Sequence, residues 1–281
     1  MKIRVFPEAQ VKHIREKISN PKLGVWKPGQ QTAGEQIRHL KSNLQFAFNS
    51  SQAESGFLQM VSSSLMGNHD FVRYALPTGI HTCRISKYQP GDAYHLHCDS
   101  IYMTNMNGRA DLSWTLFLSD PSEYEGGELV LGCDSQQAFK LEPGEAIVYP
   151  SGMDHQVLPI ISGERLAIVG WSNSYVKEAD KRFILWRAGK LLDNCCQAGE
   201  HDALKDENIF LGSFLHTSLL RLWGDSGFAK PQPIAEVPKR QTGIFNSNEY
   251  QSLVTDLLDK RQQEKKENLN GKAPEFVTAD V

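Results

Sequence analysis

The chain has 281 residues, of which 40% are hydrophobic and 22% charged, so it can bury a full core and is not a disordered protein. Thirty Lys and Arg against 33 Asp and Glu leave a net charge of -3 without a basic block, which argues against nucleic acid or an anionic membrane as partners. The opening MKIRVFPEAQ lacks the apolar core of a secretory signal, and a cytoplasmic protein is expected. Five cysteines without a CxxC spacing argue against a disulfide framework and a thiolate zinc site.

Helices are predicted in the first part of the chain. Val11, Ile14 and Ile18 recur at the spacing of one helix face, after a proline and an acidic residue that suit a helix start. A second apolar stripe of the same period is centred on Val61. We therefore predict an N-terminal helical support region over residues 1–78.

A change of pattern near residue 80 marks the start of a β-rich region. Runs rich in β-branched and aromatic residues alternate there with turn residues; the runs are IHTCRISKY, LSWTLFLS, ELVL, AFKLEPGEAIVYPSG, HQVLPI and RLAIVGWSNS. So many short strands at close spacing indicate an antiparallel sandwich or barrel. We predict that this core covers residues 79–176.

The helical period returns after the strands. We place helices at 177–225, where the apolar residues need a sheet face to pack on. The segment 226–246 contains three prolines and is predicted to be a linker. An apolar stripe at 250–258 predicts one amphipathic helix, a candidate oligomer contact, before a polar tail that we expect to be mobile. Linker, helix and tail form a C-terminal extension over 226–281.

Three side chains are spaced to hold one metal ion. His97 and Asp99 lie two residues apart in QPGDAYHLHCDSIY, and alternate residues of a strand share a face. An isolated H-x-D triplet is common by chance, but His155 follows the turn YPSGMD at the start of another predicted strand. Two histidines and one carboxylate bind Fe(II) and leave positions open for a cosubstrate and dioxygen. These three residues are therefore predicted to form a catalytic iron centre.

Arg165 opens the apolar strand RLAIVGW. Taken alone, it would be interpreted as a strand-end arginine that faces water. Beside an iron centre, its planar guanidinium suits a carboxylate that it can bind through two hydrogen bonds. We predict that this carboxylate is the one at the far end of 2-oxoglutarate. Trp171, on the same strand, is a candidate for the lining of the pocket or for the core.

Four longer segments together resemble one known family. They are YQPGDAYHLHCD, RADLSWTLFLSDPSEYEGGELVL, LEPGEAIVYPSGMDHQVLP and GERLAIVGWSNS. The likeness extends upstream to GVWKPGQQTAGEQIRHLKSN, with Lys41 and Asn43, and downstream to SLLRLW. In this order the segments closely resemble the PKHD-type hydroxylases, bacterial Fe(II)- and 2-oxoglutarate-dependent dioxygenases related to prolyl and lysyl hydroxylases.

The resemblance implies a mainly β fold: a double-stranded β-helix, or jelly roll, flanked by N-terminal and C-terminal helices. It implies Fe(II), with 2-oxoglutarate and dioxygen as cosubstrates and ascorbate as a candidate reductant. The implied reaction hydroxylates a substrate and releases succinate and carbon dioxide. Carried over by position, the iron ligands are His97, Asp99 and His155, while Arg165 and Tyr88 bind 2-oxoglutarate.

The chain departs from the family pattern in regions where substrate choice could differ. His95 stands where relatives tend to carry glycine, the residues just after Asp99 match poorly, and the extension 226–281 has no recognised counterpart. The resemblance therefore leaves the substrate undefined, as either a protein side chain or a small molecule.

Two other interpretations fit part of the sequence. A cupin would use His95, His97 and His155 together with a glutamate, but Ile101 and Tyr102 stand where that glutamate is needed. A barrel without catalytic activity, acting as a binding module, would be expected to lose metal ligands by drift. The intact set of candidate ligands argues against it.

Overall fold

The computed structural model describes residues 1–33, 35–102, 108–133, 136–197 and 203–224. Its strands are β1 Lys2–Arg4, β2 Gly24–Pro28, β3 Leu44–Phe48, β4 Pro77–Tyr88, β5 Tyr94–His97, β6 Leu112–Phe117, β7 Tyr124–Gly126, β8 Leu129–Leu131, β9 Gln137–Phe139, β10 Glu145–Pro150, β11 His155–Val157, β12 Ile160–Gly163 and β13 Arg165–Ser174. Its α-helices are α1 Glu8–Ile18, α2 Ser51–Met66, α3 His69–Ala75, α4 Ala179–Gln197 and α5 Ala203–Trp223. None of these helices combines the length and apolar character needed to cross a bilayer.

Two antiparallel sheets face each other in the β core. The larger has the strand order β1-β10-β6-β13-β4-β3-β2 and the smaller the order β5-β11-β8-β9, while β12 pairs with β7. Phe117 and Tyr149 of the larger sheet share one buried apolar cluster with Leu129 and Val157 of the smaller sheet. Two sheets packed through such a cluster form a jelly roll. The predicted double-stranded β-helix with helices before and after it is therefore confirmed.

The outer face of the larger sheet packs against helices from the start of the chain. Val11 and Ile14 of α1 and Val61 and Leu65 of α2 join Ile168 of β13 in a second buried cluster. The two apolar stripes in the sequence thus mark real helices, and each stripe faces the sheet.

Side-chain caps fix where α2 and α3 begin. The Ser50 hydroxyl accepts a hydrogen bond from the Ala53 N–H at 3.2 Å, and the Asn68 side chain accepts one from the Phe71 N–H at 2.9 Å. The Asn68 amide also donates to the carbonyl of Arg4 in β1, at 2.7 Å. This contact ties the helix pair to an edge strand of the larger sheet.

The region 1–78 is more than a helical support. It also supplies β1 at one edge of the larger sheet and β2 and β3 at the other. Strand β1 has only three residues, too few for a recognisable alternation, and β2 is exposed at most of its positions. Neither these strands nor β3 carries the sustained alternation of apolar and polar side chains that predicts a strand. The division into 1–78, 79–176, 177–225 and 226–281 stays a prediction, and the extension 226–281 lies outside the described residues.

Alternation along the strands decides which side chains enter the space between the sheets. In β4, Arg84, Ser86 and Tyr88 line an internal cavity, whereas Ile85 packs towards the helices. Strand β13 runs antiparallel to β4 and sets Arg165 opposite Tyr88. The sheet therefore turns one polar row of β4 towards the interior of the jelly roll.

The core on the helix side yields a stability prediction. Ile168 of β13 is fully buried, while Ile161 of β12 is 65% exposed. We expect Ile168→Ala to lower the free energy of unfolding by ~2–5 kcal/mol, because it removes buried methyl groups and leaves a cavity. Ile161→Ala should change that free energy by less than ~0.5 kcal/mol. Urea unfolding followed by circular dichroism measures both, and equal effects would contradict the assigned core.

Candidate active site

The three predicted metal-binding side chains converge beside the internal cavity. His97 ends β5 and His155 begins β11, and the two are paired residues of neighbouring strands. Asp99 follows β5, with its backbone N–H donating to the carbonyl of Ser151 at 3.0 Å. His97 Nε2 lies 3.9 Å from Asp99 Oδ1, and His155 Nε2 lies 3.7 Å from Asp99 Oδ2. Each side chain offers one ligand atom within 4.8 Å of the others, close enough to share an ion.

Backbone carbonyls orient both imidazoles. The Nδ1–H of His97 donates to the His95 carbonyl at 2.7 Å, and that of His155 donates to the Met153 carbonyl at 2.9 Å. Each Nδ1 carries a proton, because a carbonyl oxygen only accepts, so in the neutral imidazole Nε2 is the atom that can bind a metal. Burial, and then the neighbouring His155, lower the pKa of His97 to about 4. His97 is therefore neutral near pH 7, as a metal ligand must be.

Two donors fix the carboxylate of Asp99. The Ser113 hydroxyl donates to Oδ2 at 2.6 Å, and the Trp171 indole N–H donates to the same oxygen at 2.9 Å. Ser113 also lies 2.9 Å from the Ser151 hydroxyl, and since its single proton is used on Asp99, Ser151 is the donor in that contact. Oδ1 receives no hydrogen bond from the described residues and is left for a metal.

Removing either donor to Asp99 should weaken metal binding. We expect Ser113→Ala and Trp171→Phe each to reduce the affinity for Mn(II) by ~10–100-fold, because the carboxylate loses a group that orients it. Ser172→Ala is the matched control, since Ser172 follows Trp171 in β13 and its buried hydroxyl has no partner among the described residues. Titration monitored by electron paramagnetic resonance gives the affinities. Unchanged values in the first two variants would show that other groups position Asp99.

Arg165 is a buried cation with no hydrogen-bond partner among the described residues. It is 1% exposed, and none of its three guanidinium nitrogens has a hydrogen-bond partner within the described part of the chain. Its Cζ lies 5.3 Å from the centre of the Tyr88 ring and 5.1 Å from that of the Phe117 ring. A buried charge is costly unless an anion compensates it. The surroundings of Arg165 therefore suit a ligand that brings a carboxylate.

Tyr88 and Tyr149 link Arg165 to the three ligands electrostatically. Burial raises the pKa of Tyr88 to about 12 and that of Tyr149 well above its usual range. The positive charge of Arg165 lowers the pKa of both phenols, and the negative charge of Asp99 raises them. Both tyrosines line the cavity, and the charges of Arg165 and Asp99 act on both of them.

The cavity itself is small, with a volume of about 260 Å³. The three predicted ligands line it together with polar, aromatic and aliphatic side chains from both sheets and from the N-terminal region. Two further cations in its wall, Lys41 and Arg84, have no counterpart among the predicted site residues. Binding pockets for whole drug-sized molecules are usually larger, so this cavity suits a small cosubstrate and one group of a substrate.

The predicted site residues are mostly brought together. His97, Asp99 and His155 meet as predicted, although Asp99 lies just beyond the strand and not on it. Tyr88 lines the cavity and lies beside Arg165. Sequence reasoning missed Ser113, because a serine within an apolar strand carries no signal of its partner. Trp171, a candidate for the lining, does line the cavity and also bonds to Asp99.

The cupin ligand set is not assembled. The His95 side chain is exposed and lies outside the group formed by the other three residues; only its backbone carbonyl serves the site, through His97. Ile101 and Tyr102, where a cupin would need its glutamate, are 58% and 71% exposed. The carboxylate that completes the group is that of Asp99.

Comparison with known proteins shows what the chain as a whole is similar to. The model of the 2OG-Fe(II) oxygenase superfamily matches residues 83–173. A PKHD-type hydroxylase of Maricaulis maris (strain MCS10) is 40% identical over 189 residues, which are 65% of this chain and 81% of that protein. A PKHD-type hydroxylase of Shewanella baltica (strain OS155) is 34% identical over 224 residues, 79% of this chain and 96% of that protein.

Among solved structures, a Pseudomonas putida prolyl-4-hydroxylase has a TM-score of 0.45 and 17% identity, covering 62% of this chain and 91% of that one. The sequence relatives are similar along most of their own length, and the superfamily match spans the strands that carry the site. The chain therefore belongs to the PKHD-type hydroxylases and is an Fe(II)- and 2-oxoglutarate-dependent dioxygenase, which hydroxylates its substrate with release of succinate and carbon dioxide.

Proposed function

We propose that His97, Asp99 and His155 are the iron ligands of this dioxygenase, and that Arg165 and Tyr88 bind the distal carboxylate of 2-oxoglutarate. The observation that carries the proposal is the buried guanidinium of Arg165, which has no hydrogen-bond partner among the described residues and lies against a tyrosine of the cavity. A bound carboxylate would compensate this charge through paired hydrogen bonds.

The donor set suits Fe(II). Two neutral imidazoles and one carboxylate are the ligands of non-haem iron oxygenases, and they leave coordination positions open. When bound, iron supplies the activation of dioxygen against 2-oxoglutarate that leads to hydroxylation of a C–H bond.

The protein's own part is to hold the components in place. Backbone carbonyls bind Nδ1 of both imidazoles and so turn Nε2 towards the site, while Ser113 and Trp171 stop the Asp99 carboxylate from turning. Tyr149, buried beside His155 with ring centres 5.1 Å apart, limits the space for water next to that ligand. Ligands that are held in place in this way favour reaction at one substrate position.

Anaerobic addition of Fe(II) and 2-oxoglutarate tests the proposed roles. The complete site should give the weak visible charge-transfer band of chelated 2-oxoglutarate, and neither component alone should do so. A folded wild-type protein that shows no band would contradict the assigned ligands.

We also propose a substrate class, a reductant, a cellular location and an oligomer contact. The substrate is a protein side chain or a small molecule, and ascorbate is the candidate reductant. We place the enzyme in the cytoplasm. The amphipathic helix predicted from the apolar stripe at 250–258 is the candidate oligomer contact, and it lies outside the described residues.

A further inference from the structure

Two cations in the cavity wall form no ion pair within the described part of the chain. Lys41, 7% exposed, has its Nζ 3.3 Å from the Thr32 hydroxyl, and an Arg84 guanidinium nitrogen lies 3.5 Å from Gln45 Oε1. Thr32 in turn donates to Gln45 at 2.7 Å, so these four side chains form one network whose hydrogen-bonding partners are neutral. Within the described residues, no carboxylate forms an ion pair with either cation.

Both cations are close to the proposed iron centre. The Nζ of Lys41 lies 5.1 Å from the centre of the Tyr94 ring, and that ring stacks on the imidazole of His97 with centres 3.6 Å apart. Arg84 pairs with Val169 of β13, two residues before the tryptophan that donates to Asp99. A group held by these cations would therefore lie next to the metal ligands.

The pair is separate from the proposed 2-oxoglutarate anchor. Arg84 and Tyr88 are four residues apart on β4, which corresponds to ~13 Å along an extended strand. Arg165 lies opposite Tyr88, at the far end of this stretch from Arg84. A 2-oxoglutarate molecule that binds Arg165 at one end and the metal at the other would therefore leave Lys41 and Arg84 without an anion.

Charge balance leads to the same conclusion. Fe(II), the Asp99 carboxylate, the two charges of 2-oxoglutarate and the Arg165 cation together carry no net charge. Lys41 and Arg84 then remain as two positive charges in the same cavity wall, and Glu54, an exposed residue, forms no ion pair with Arg84 among the described residues. Burial and the charge of Arg84 lower the pKa of Lys41 to about 8, whereas the negative charge of Asp99 raises it. Burial also lowers the pKa of Arg84, and the negative charge of Glu54 raises it. A bound anion would compensate the remaining charge.

We infer, on the basis of the proposed function, that Lys41 and Arg84 form a second anion site, which binds a carboxylate of the substrate and so positions a neighbouring carbon for hydroxylation. The fork of Arg84 and the point charge of Lys41 together suit the two oxygens of one carboxylate. Because the cavity is small, the substrate would insert a short acidic group and leave the rest of the molecule outside. The substrate class is thus an acid whose carboxylate lies close to the oxidised carbon.

A pair of matched probes tests this in the wild-type protein. With Mn(II) in the metal site and 2-oxoglutarate saturating, N-acetylglycine should show paramagnetic broadening of its proton resonances, and its neutral counterpart N-acetylglycinamide should show little. The preference for the acid should be about tenfold or more in dissociation constant. Equal broadening of the two probes would overturn the inference, as would loss of the acid's broadening when 2-oxoglutarate is added.

Substitutions of Lys41 and Arg84 test where N-acetylglycine binds. Lys41→Met and Arg84→Gln should each weaken binding of N-acetylglycine about tenfold or more, whereas Lys41→Arg should retain most of it. Lys87→Met is the matched control, since Lys87 lies on the same strand as Arg84 but contacts Trp26 and Glu164 away from the cavity. If the acid binds all variants equally, the pair does not form the site.

Affinities for Mn(II) and 2-oxoglutarate, measured first on the same samples, separate the two proposals. If either fails to bind the folded wild type, the proposed function fails and the inference fails with it. A different result overturns only the second anion site. In that case Mn(II) and 2-oxoglutarate bind normally to the wild type, to Lys41→Met and to Arg84→Gln, but the wild type does not prefer N-acetylglycine over N-acetylglycinamide.

Discussion

His97→Ala is expected to reduce succinate formation to the level measured without added iron. The variant removes one of two imidazoles whose Nε2 atoms are held towards the centre, and the remaining His155 and Asp99 cannot alone complete the ligand set that Fe(II) needs. The fold should persist, because His97 is the last residue of a short strand and packs mainly against Tyr94 and His155. Iron content after gel filtration and succinate release give the two measurements.

His95→Ala is the matched control for this variant. Its side chain is exposed, and the carbonyl that accepts from His97 belongs to the backbone, so alanine preserves that hydrogen bond. Iron content should therefore stay at the wild-type level. The opposite pattern, in which His95→Ala loses iron while Asp99→Ala keeps it, would favour the cupin ligand set over the one proposed.

The three side chains proposed as iron ligands could be predicted from the sequence because the residue types around them form a chemically distinctive pattern. An H-x-D pair at a strand end and a histidine opening the next strand of the same sheet need only strand pairing to meet, and His97 and His155 do pair directly. The resemblance to the hydroxylase family added their order along the chain. The fold class followed from the same regularity, since the apolar strands and helix stripes agree with the jelly roll and the helices packed on it.

The second cation pair could not be predicted in this way. Lys41 and Arg84 meet through long-range pairing: Lys41, just before β3, bridges Tyr94 of β5, and β3 pairs with β4. Strand β3 itself was missed for want of a clear alternating pattern. The donors to Asp99 pose the same difficulty: Ser113 and Trp171 belong to two strands, β6 and β13, whose adjacency is a property of the sheet order. Side chains that meet through sheet topology leave no signal in local spacing.

Arg165→Met is expected to raise the dissociation constant of 2-oxoglutarate by roughly 100-fold or more, because it removes paired, charge-assisted hydrogen bonds to a carboxylate. Metal affinity should be unchanged, since Arg165 is absent from the metal-binding group. In the absence of 2-oxoglutarate the variant should be at least as stable as wild type, because methionine replaces a buried charge that has no partner among the described residues. Loss of ligand binding together with retained stability distinguishes this arginine from a structural one.

Thermal unfolding measures both effects on one sample. At 100 times its dissociation constant, 2-oxoglutarate should stabilise the Mn(II)-loaded wild type by ~2.7 kcal/mol, and at the same concentration it should stabilise Arg165→Met by a small fraction of that. Lys87→Met serves as control, because Lys87 pairs with Leu166 beside Arg165 yet lies outside the cavity lining. The contrary result is an Arg165→Met protein that is less stable than wild type without ligand, yet is stabilised by 2-oxoglutarate to the wild-type extent. Arg165 would then serve the fold, and another cation would bind the distal carboxylate of the cosubstrate.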